Sequence, residues 1–384
     1  MTGDFSDQRD RLRHHGDVEA VPGLADFAVN VHLDRPPGWL LDELAAELPN
    51  LGRYPSAEQD AVARAAVARR HDRPADEVLV LAGAAEGFAL LPALRPRLAA
   101  LVHPSFTEPE VALADAAVPL HRVLLSAEDG YRLRPELVPD AADLVVLGNP
   151  TNPTSVLHPA ATIRALARPG RILVVDEAFL DAVPGEPETL TGDRHTPGLL
   201  VLRSLTKTWA LAGLRAGYAL GAPDLLARLA QHRPQWPVGS LVLAAVRACS
   251  TPAAVAEAQR SATDLVRHRR WLVDALTALP GVEVHEPASA PFLLLRVPNG
   301  PGLRAALRER GVAVRRADTF PGLGPDHLRI AVRSPQRCEP LLAALRAELT
   351  EPTGSTEPTG STRDPTSEPA VPDAVPALTE GATA

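Results

Sequence analysis

The sequence predicts an α/β protein, with a large domain on a mostly parallel sheet and a smaller α/β domain beside it. Three observations carry this expectation. Short apolar runs alternate with stretches of helical spacing between about residues 40 and 235. Most of those runs are continuously apolar, as expected of strands buried on both faces of a parallel sheet. The chain has 384 residues, 45% of them hydrophobic, enough for one large core or two modest ones.

Taken in order, the expected strands are 77–82, 99–103, 143–147, 171–175, 198–203 and 217–220, with helical spacing at 57–70 and 160–167. From about Leu241 a long helical region leads to strands at 292–297, 312–316 and 327–332. The expected domains are an arm over 1–40 joining the small domain, a large domain over 41–240 and a small one over 241–350. Residues 351–384 are rich in Pro, Thr, Ser and Gly and repeat Glu-Pro-Thr-Gly-Ser-Thr in tandem. Such a segment has too few large apolar side chains to offset its ordering entropy, so a disordered tail is expected.

Composition excludes several classes of function. A formal net charge of -8 argues against nucleic acid as a partner. Cys249 and Cys338 match no metal or redox spacing. His14, His15 and His103 have no ligand-like partners in the sequence, and no metal is expected. The charged opening lacks the apolar core of a signal peptide, and no segment approaches the roughly 18 apolar residues of a membrane helix. The expectation is a soluble cytoplasmic protein.

Lysine occurs once, at Lys207, among 39 basic residues. A GC-rich coding bias replaces lysine with arginine wherever charge alone matters, so the survivor stands where arginine cannot. Arginine stays protonated above pH ~12, whereas lysine starts near ~10.4 and shifts readily when buried. A deprotonated lysine is a nucleophile able to form an imine. A chance surface survivor is the plain alternative, and the local sequence weighs against it.

In open α/β sheets ligands bind beyond the carboxyl ends of strands, and the notable residues fall there. Gly83, Ala84, Ala85 and Glu86 follow the first strand and open a helix, offering N–H groups to a phosphate. Asn149-Pro150-Thr151-Asn152-Pro153-Thr154 ends another strand; its prolines fix a backbone that aims Asn152 into a cleft. Asp176 and Glu177 close the run 171–175, where a carboxylate is costly unless paired or exposed. Asp176 beneath a pyridine nitrogen would keep that nitrogen protonated, while Glu177 points to the other side. Ser204, Thr206, Lys207 and Arg215 then follow one strand end. Hydroxyls and an arginine suit a phosphate dianion, and the lysine suits an aldehyde. Together they describe pyridoxal phosphate (PLP).

Asn-Pro-Thr-Asn-Pro-Thr, Asp-Glu-Ala-Phe and Ser-Leu-Thr-Lys with Gly-Leu-Arg resemble, in order and spacing, the class I/II aminotransferases of PLP fold type I. The similarity covers roughly residues 14–350. It looks closest to the group holding histidinol-phosphate aminotransferase and the cobalamin-pathway threonine-phosphate decarboxylase. The resemblance implies that Lys207 is the Schiff-base lysine and proton shuttle, that Asp176 pairs with the pyridine nitrogen, and that Asn152 bonds the ring hydroxyl. Phe106 fits the ring-stacking aromatic; Gly83, Ala84, Ala85, Ser204, Thr206 and Arg215 fit the phosphate cup. Tyr54 resembles a tyrosine that reaches a neighbouring subunit's phosphate and implies a homodimer; an ordinary turn aromatic is the alternative. Arg329 matches the grip on the substrate carboxylate, in competition with Arg315, Arg316 and Arg333, and Asn30 lies in a substrate-framing segment.

Two departures bear on the reaction. Phe179 stands where many relatives carry tyrosine, removing one hydrogen bond of order ~1 kcal/mol. After Asn30 the usual Asn-Pro-x-Gly is replaced by His32-Leu33-Asp34-Arg35. The segments 176–181, 203–207, 15–17 and 26–30 look more like the decarboxylase branch. The expected reaction is therefore decarboxylation of a small phosphorylated amino acid, as in cobalamin biosynthesis. Transamination is the alternative. A cofactor-sensing regulatory module is remote, because the chain leaves no room for a DNA-binding domain.

Overall fold

The computed structural model describes residues 9–350, and the expectation for 351–384 lies outside the described residues. Seven strands form the large sheet: β2 (Val78–Leu81), β3 (Ala99–His103), β4 (Leu120–Leu124), β5 (Leu144–Gly148), β6 (Ile172–Asp176), β7 (Leu199–Ser204) and β8 (Gly217–Gly221). Their spatial order is β2-β8-β7-β6-β5-β3-β4. The pairings from β4 across to β7 are parallel, and β8 runs antiparallel to both β7 and β2.

Alternation along each strand divides the core. Val145, Leu147, Val175 and Val201 face one side; Leu144, Val146, Val174 and Leu200 face the other. The first face is covered by helices Ala57–His71 and Ser240–Cys249, and the second by Ala84–Ala89, Glu108–Asp115 and Pro223–Leu229. Each buried Val or Leu contributes roughly 1.5–3 kcal/mol over exposure, which is why nearly uninterrupted apolar runs become these strands. β4 escaped prediction for the opposite reason. It is an edge strand, Leu-His-Arg-Val-Leu, in which only Val123 is buried.

A four-stranded antiparallel sheet has the order β12-β13-β10-β9, from β9 (Glu283–Val284), β10 (Phe292–Arg296), β12 (Arg315–Arg316) and β13 (His327–Ala331). The strand expected over 312–316 is in fact two. β11 (Val312–Ala313) pairs in parallel with β1 (Ala25–Asp26), and after Val314 the chain joins β13 as β12. Helix Pro252–Thr277 links the two cores, placing Ala254 and Ala258 in the first and Leu265, Leu272 and Leu276 in the second. Thr251 accepts the N–H of Ala254 as its cap, and Pro252 follows at the first helical position. Among the described residues no single helix is long and apolar enough to cross a membrane.

The carboxyl ends of β2, β3, β5, β6 and β7 open on one edge. Because β8 runs backwards, its entry, with Arg215, lies there too.

Candidate active site

A cavity of about 500 Å3 lies at this edge. Of the residues expected to form a site, it is lined by Asn30, Ala84, Ala85, Phe106, Asn152, Asp176, Phe179, Ser204, Thr206, Lys207, Arg215 and Arg329. Two expected residues stand elsewhere. Gly83 (φ +80°) sits behind the wall, where a Cβ would come within 3.0 Å of the Arg215 guanidinium. Only glycine permits that backbone and that approach. Tyr54 is 73% exposed and stacks on Trp236 at 4.1 Å, outside its own chain's cavity.

Burial pushes the Lys207 amine down to about 8, with Arg329 and Arg215 adding repulsion. Burial likewise lifts the Asp176 carboxyl to about 7, and neighbouring Glu177 lifts it further. The backbone N–H of Ala178 donates to it at 3.1 Å. A cationic partner such as a ring N–H would return Asp176 to its ionised form.

Glu177 turns away from the cavity, as expected. It accepts from the Thr189 hydroxyl (2.8 Å), the Leu190 N–H (2.7 Å) and the Arg203 guanidinium (3.1 Å). Arg203 also pairs with Glu186 and Asp181, and Arg70 with Asp181 at 2.7 Å. This buried network anchors the turn after β6 and hence Asp176 itself.

At one end of the cavity stand anion-binding groups. The Ser204 and Thr206 hydroxyls lie 2.8 Å apart. Ala84 and Ala85 head a helix, so their N–H groups have no intrahelical acceptor. Arg215, at φ +62°, bends its guanidinium back over Gly83. Phe106 packs against Phe88 and His15, with centroids at 5.9 and 5.2 Å. Phe179 meets Phe292 edge-on at 4.9 Å in a small apolar cluster.

Two buried arginines also line the cavity. Arg329 donates to Asn152 Oδ1 at 2.7 Å and to the Ala28 carbonyl, while its Nε has no partner. Arg315 donates to Thr319 Oγ1 at 2.6 Å and to the carbonyls of His14 and Arg316, and lies over Phe320. All these acceptors are neutral, and burial lowers both guanidinium pKa values. The other two candidates are used differently. Arg316 pairs with Asp318, and Arg333 donates to the carbonyls of Val29 and Val31.

Sequence reasoning missed His15, Asp17 and Glu108 as cavity residues. His14, His15 and His103 each lie beside one carboxylate, Glu19, Glu108 and Glu110. Gly16 crosses so close to the Ala28 carbonyl that a Cβ would sit 2.3 Å from it. The run His15-Gly16-Asp17 was the available signal, but its glycine gains meaning only against Ala28.

The arrangement meets the demands of pyridoxal phosphate: a deprotonable buried amine, a buried carboxylate, and a cradle of hydroxyls, N–H groups and a guanidinium that a Cβ at Gly83 would fill. Comparison with known proteins agrees. Residues 24–345 match the family described as Aminotransferase class I and II. The chain is 55% identical over 336 residues to a histidinol-phosphate aminotransferase of Mycobacterium tuberculosis, covering 88% of this chain and 90% of that protein. It is 33% identical over 339 residues to the threonine-phosphate decarboxylase of Salmonella typhimurium, covering 85% and 92%. In fold it resembles the histidinol-phosphate aminotransferase of Clostridium acetobutylicum, with TM-score 0.78 and 21% identity over 84% of this chain and 98% of that one. A Sinorhizobium meliloti histidinol-phosphate aminotransferase, solved in complex with pyridoxal-5'-phosphate, aligns with TM-score 0.73 and 20% identity, covering 84% and 90%. The chain belongs to the class I and II aminotransferases, and its cofactor is pyridoxal phosphate.

Proposed function

We propose that the protein is an aminotransferase acting on a small phosphorylated amine of the histidinol-phosphate type. The observation that carries this reading is the pair Arg315 and Arg329, both buried and both bonded to neutral oxygens. Two such guanidinium groups suit a substrate phosphate dianion, which accepts charge-assisted bonds from both. The relative at 55% identity supports transamination. The order of the two reactions expected from sequence is therefore reversed.

When bound, the cofactor supplies an aldehyde that condenses with amines and a protonated ring that draws electrons from the substrate's amine-bearing carbon. This chain's residues do the rest. Lys207 holds the cofactor between turnovers and carries the proton to and from that carbon. Asp176 holds the ring nitrogen's proton. Ser204, Thr206, Arg215 and the N–H groups of Ala84 and Ala85 would hold the phosphate, Phe106 would cover the ring, and Asn152, whose Oδ1 accepts from Arg329, would keep its amide N–H for the ring hydroxyl. Phe179 closes the ring pocket without adding a bond. Asn30 frames the substrate. Tyr54, exposed on its own chain, serves the cavity of a second copy in a homodimer.

The second reading, decarboxylation of threonine phosphate, rests on the relative at 33% identity. In that reading the two arginines divide between a phosphate and a carboxylate. Loaded enzyme is offered histidinol phosphate with a 2-oxo acid, and threonine phosphate separately. Amino transfer from the first without CO2 from the second is the expected result. CO2 release from threonine phosphate alone would overturn it.

A further inference from the structure

A second, small cavity of about 20 Å3 adjoins the main one and shares Asn30, Ala178, Phe179 and Lys207 with it. It has room for water, which needs on the order of 10–15 Å3, and none for a substrate. Asn30, His32, Asp181, Lys207, Thr208 and Ser261 supply its polar lining. Two buried atoms of that lining, Asn30 Oδ1 and His32 Nδ1, have no hydrogen-bond partner. Buried polar groups are satisfied in the great majority of cases, by protein or by ordered water. The backbone fixes the geometry: the His32 N–H donates to the Lys207 carbonyl at 3.0 Å, and Arg333 donates to the carbonyls of Val29 and Val31 on either side of Asn30.

We propose that this chamber is a hydration site in which one ordered water joins Lys207 to His32 and Asn30. The count of donors and acceptors matches. The water's two O–H groups donate to Asn30 Oδ1 and His32 Nδ1, and its oxygen accepts one N–H of the Lys207 amine. His32 Nδ1 accepts only in the neutral ring with its proton on Nε2; burial keeps the ring neutral, pushing its pKa down to about 4, and the proposed water selects that tautomer. His32 stands in the segment where the chain departs from the family's Asn-Pro-x-Gly. It holds whichever reaction the enzyme performs. His32 is thus a positioning residue: through the water it favours the protonated amine and orients its free N–H groups toward the main cavity.

The charges around these groups are known. Arg329 and Arg215 lower the amine's proton affinity, and Asp17 and Asp176 raise it. Arg333, His268 and Arg337 disfavour a charged His32, and Asp264 favours it. Asp181, on the chamber wall, is held by Arg203 and Arg70.

Because Lys207 is the only lysine, protein labelled with 15N-lysine gives one side-chain signal. That signal is titrated in cofactor-free wild type, His32→Leu and His32→Gln. The expected result is a roughly tenfold loss of proton affinity in His32→Leu, about one pKa unit, restored by the glutamine's acceptor oxygen. An unchanged midpoint in a folded His32→Leu overturns the proposal, as does an equal loss in both variants. A crystal structure of the wild type gives a second test should the leucine variant fail to fold. Water bonded to Lys207, His32 and Asn30 supports the site, and a chamber without it overturns it.

Discussion

Arg203 and Arg329 are equally hidden, yet their surroundings are opposite. Arg203 meets the carboxylates of Glu177, Asp181 and Glu186. Arg329 meets an amide oxygen, a carbonyl and the face of Phe292. A buried cation with its counter-charges built in holds the fold together. One with neutral acceptors alone that also lines the cavity has a place for an anion, which the proposed function gives to the ligand. Burial alone does not distinguish the two; the partners do so only together with a place on the cavity wall, since buried Arg171 and Arg333 also bond to carbonyls but do not line it.

The comparison breaks most visibly at Arg203. Arg203→Met takes the shared cation from buried Glu177 and Asp181 and half-buried Glu186, with Arg70 left beside the last two, and losing one side of such a network costs about 3–5 kcal/mol. Denaturant unfolding measures this loss; an unchanged midpoint would mean the network contributes nothing. Arg329→Met should cost less, about 1 kcal/mol, because the acceptors it leaves, Asn152 Oδ1 and the Ala28 carbonyl, are neutral and no charged partner is stranded. Its kcat/KM should fall by at least about 100-fold, since two charge-assisted bonds at roughly 1.5–3 kcal/mol each are together worth about 3–6 kcal/mol. Steady-state kinetics beside a melt separates the two effects.

A third test concerns pH. Asp176 is raised to about 7 in the folded cofactor-free protein, against 3.8 ordinarily. The folded state keeps its proton where the unfolded state has lost it, so stability is full below about 4 and falls as pH rises through about 7. The slope is at most about 1.4 kcal/mol per pH unit. Asp176→Asn should remove that share of the slope between pH 4 and 7, and identical slopes in both proteins would refute the assignment. The smallest effect belongs to Phe179→Tyr. Adding one hydroxyl at the ring pocket should shift the titration of the bound cofactor's visible band by under one pH unit, of order ~1 kcal/mol. No shift would place position 179 out of reach of the ring.

Much of this was legible in sequence because strand ends are both structural and chemical punctuation. An apolar run followed by Asp176, or by Ser204 and Lys207, states a buried strand and a cavity-facing group at once. β4 was not legible, since an exposed edge strand has no apolar run to read. Nor was the break at Val314, which depends on a partner strand nearly 300 residues earlier. Arg315 stood among four candidate arginines, and its place rests on Thr319, Phe320 and the carbonyl of His14. His15 and Asp17 reach the cavity only because residues near the start of the chain fold across it, where His15 meets Glu108.

The most direct test of the central claim is the visible absorbance of purified protein loaded with pyridoxal phosphate, wild type beside Lys207→Ala. The expected result is a yellow band in the wild type that is absent from the variant. A band that survives the loss of the only lysine, or no band in either protein, would contradict the assignment of Lys207 and the function built on it.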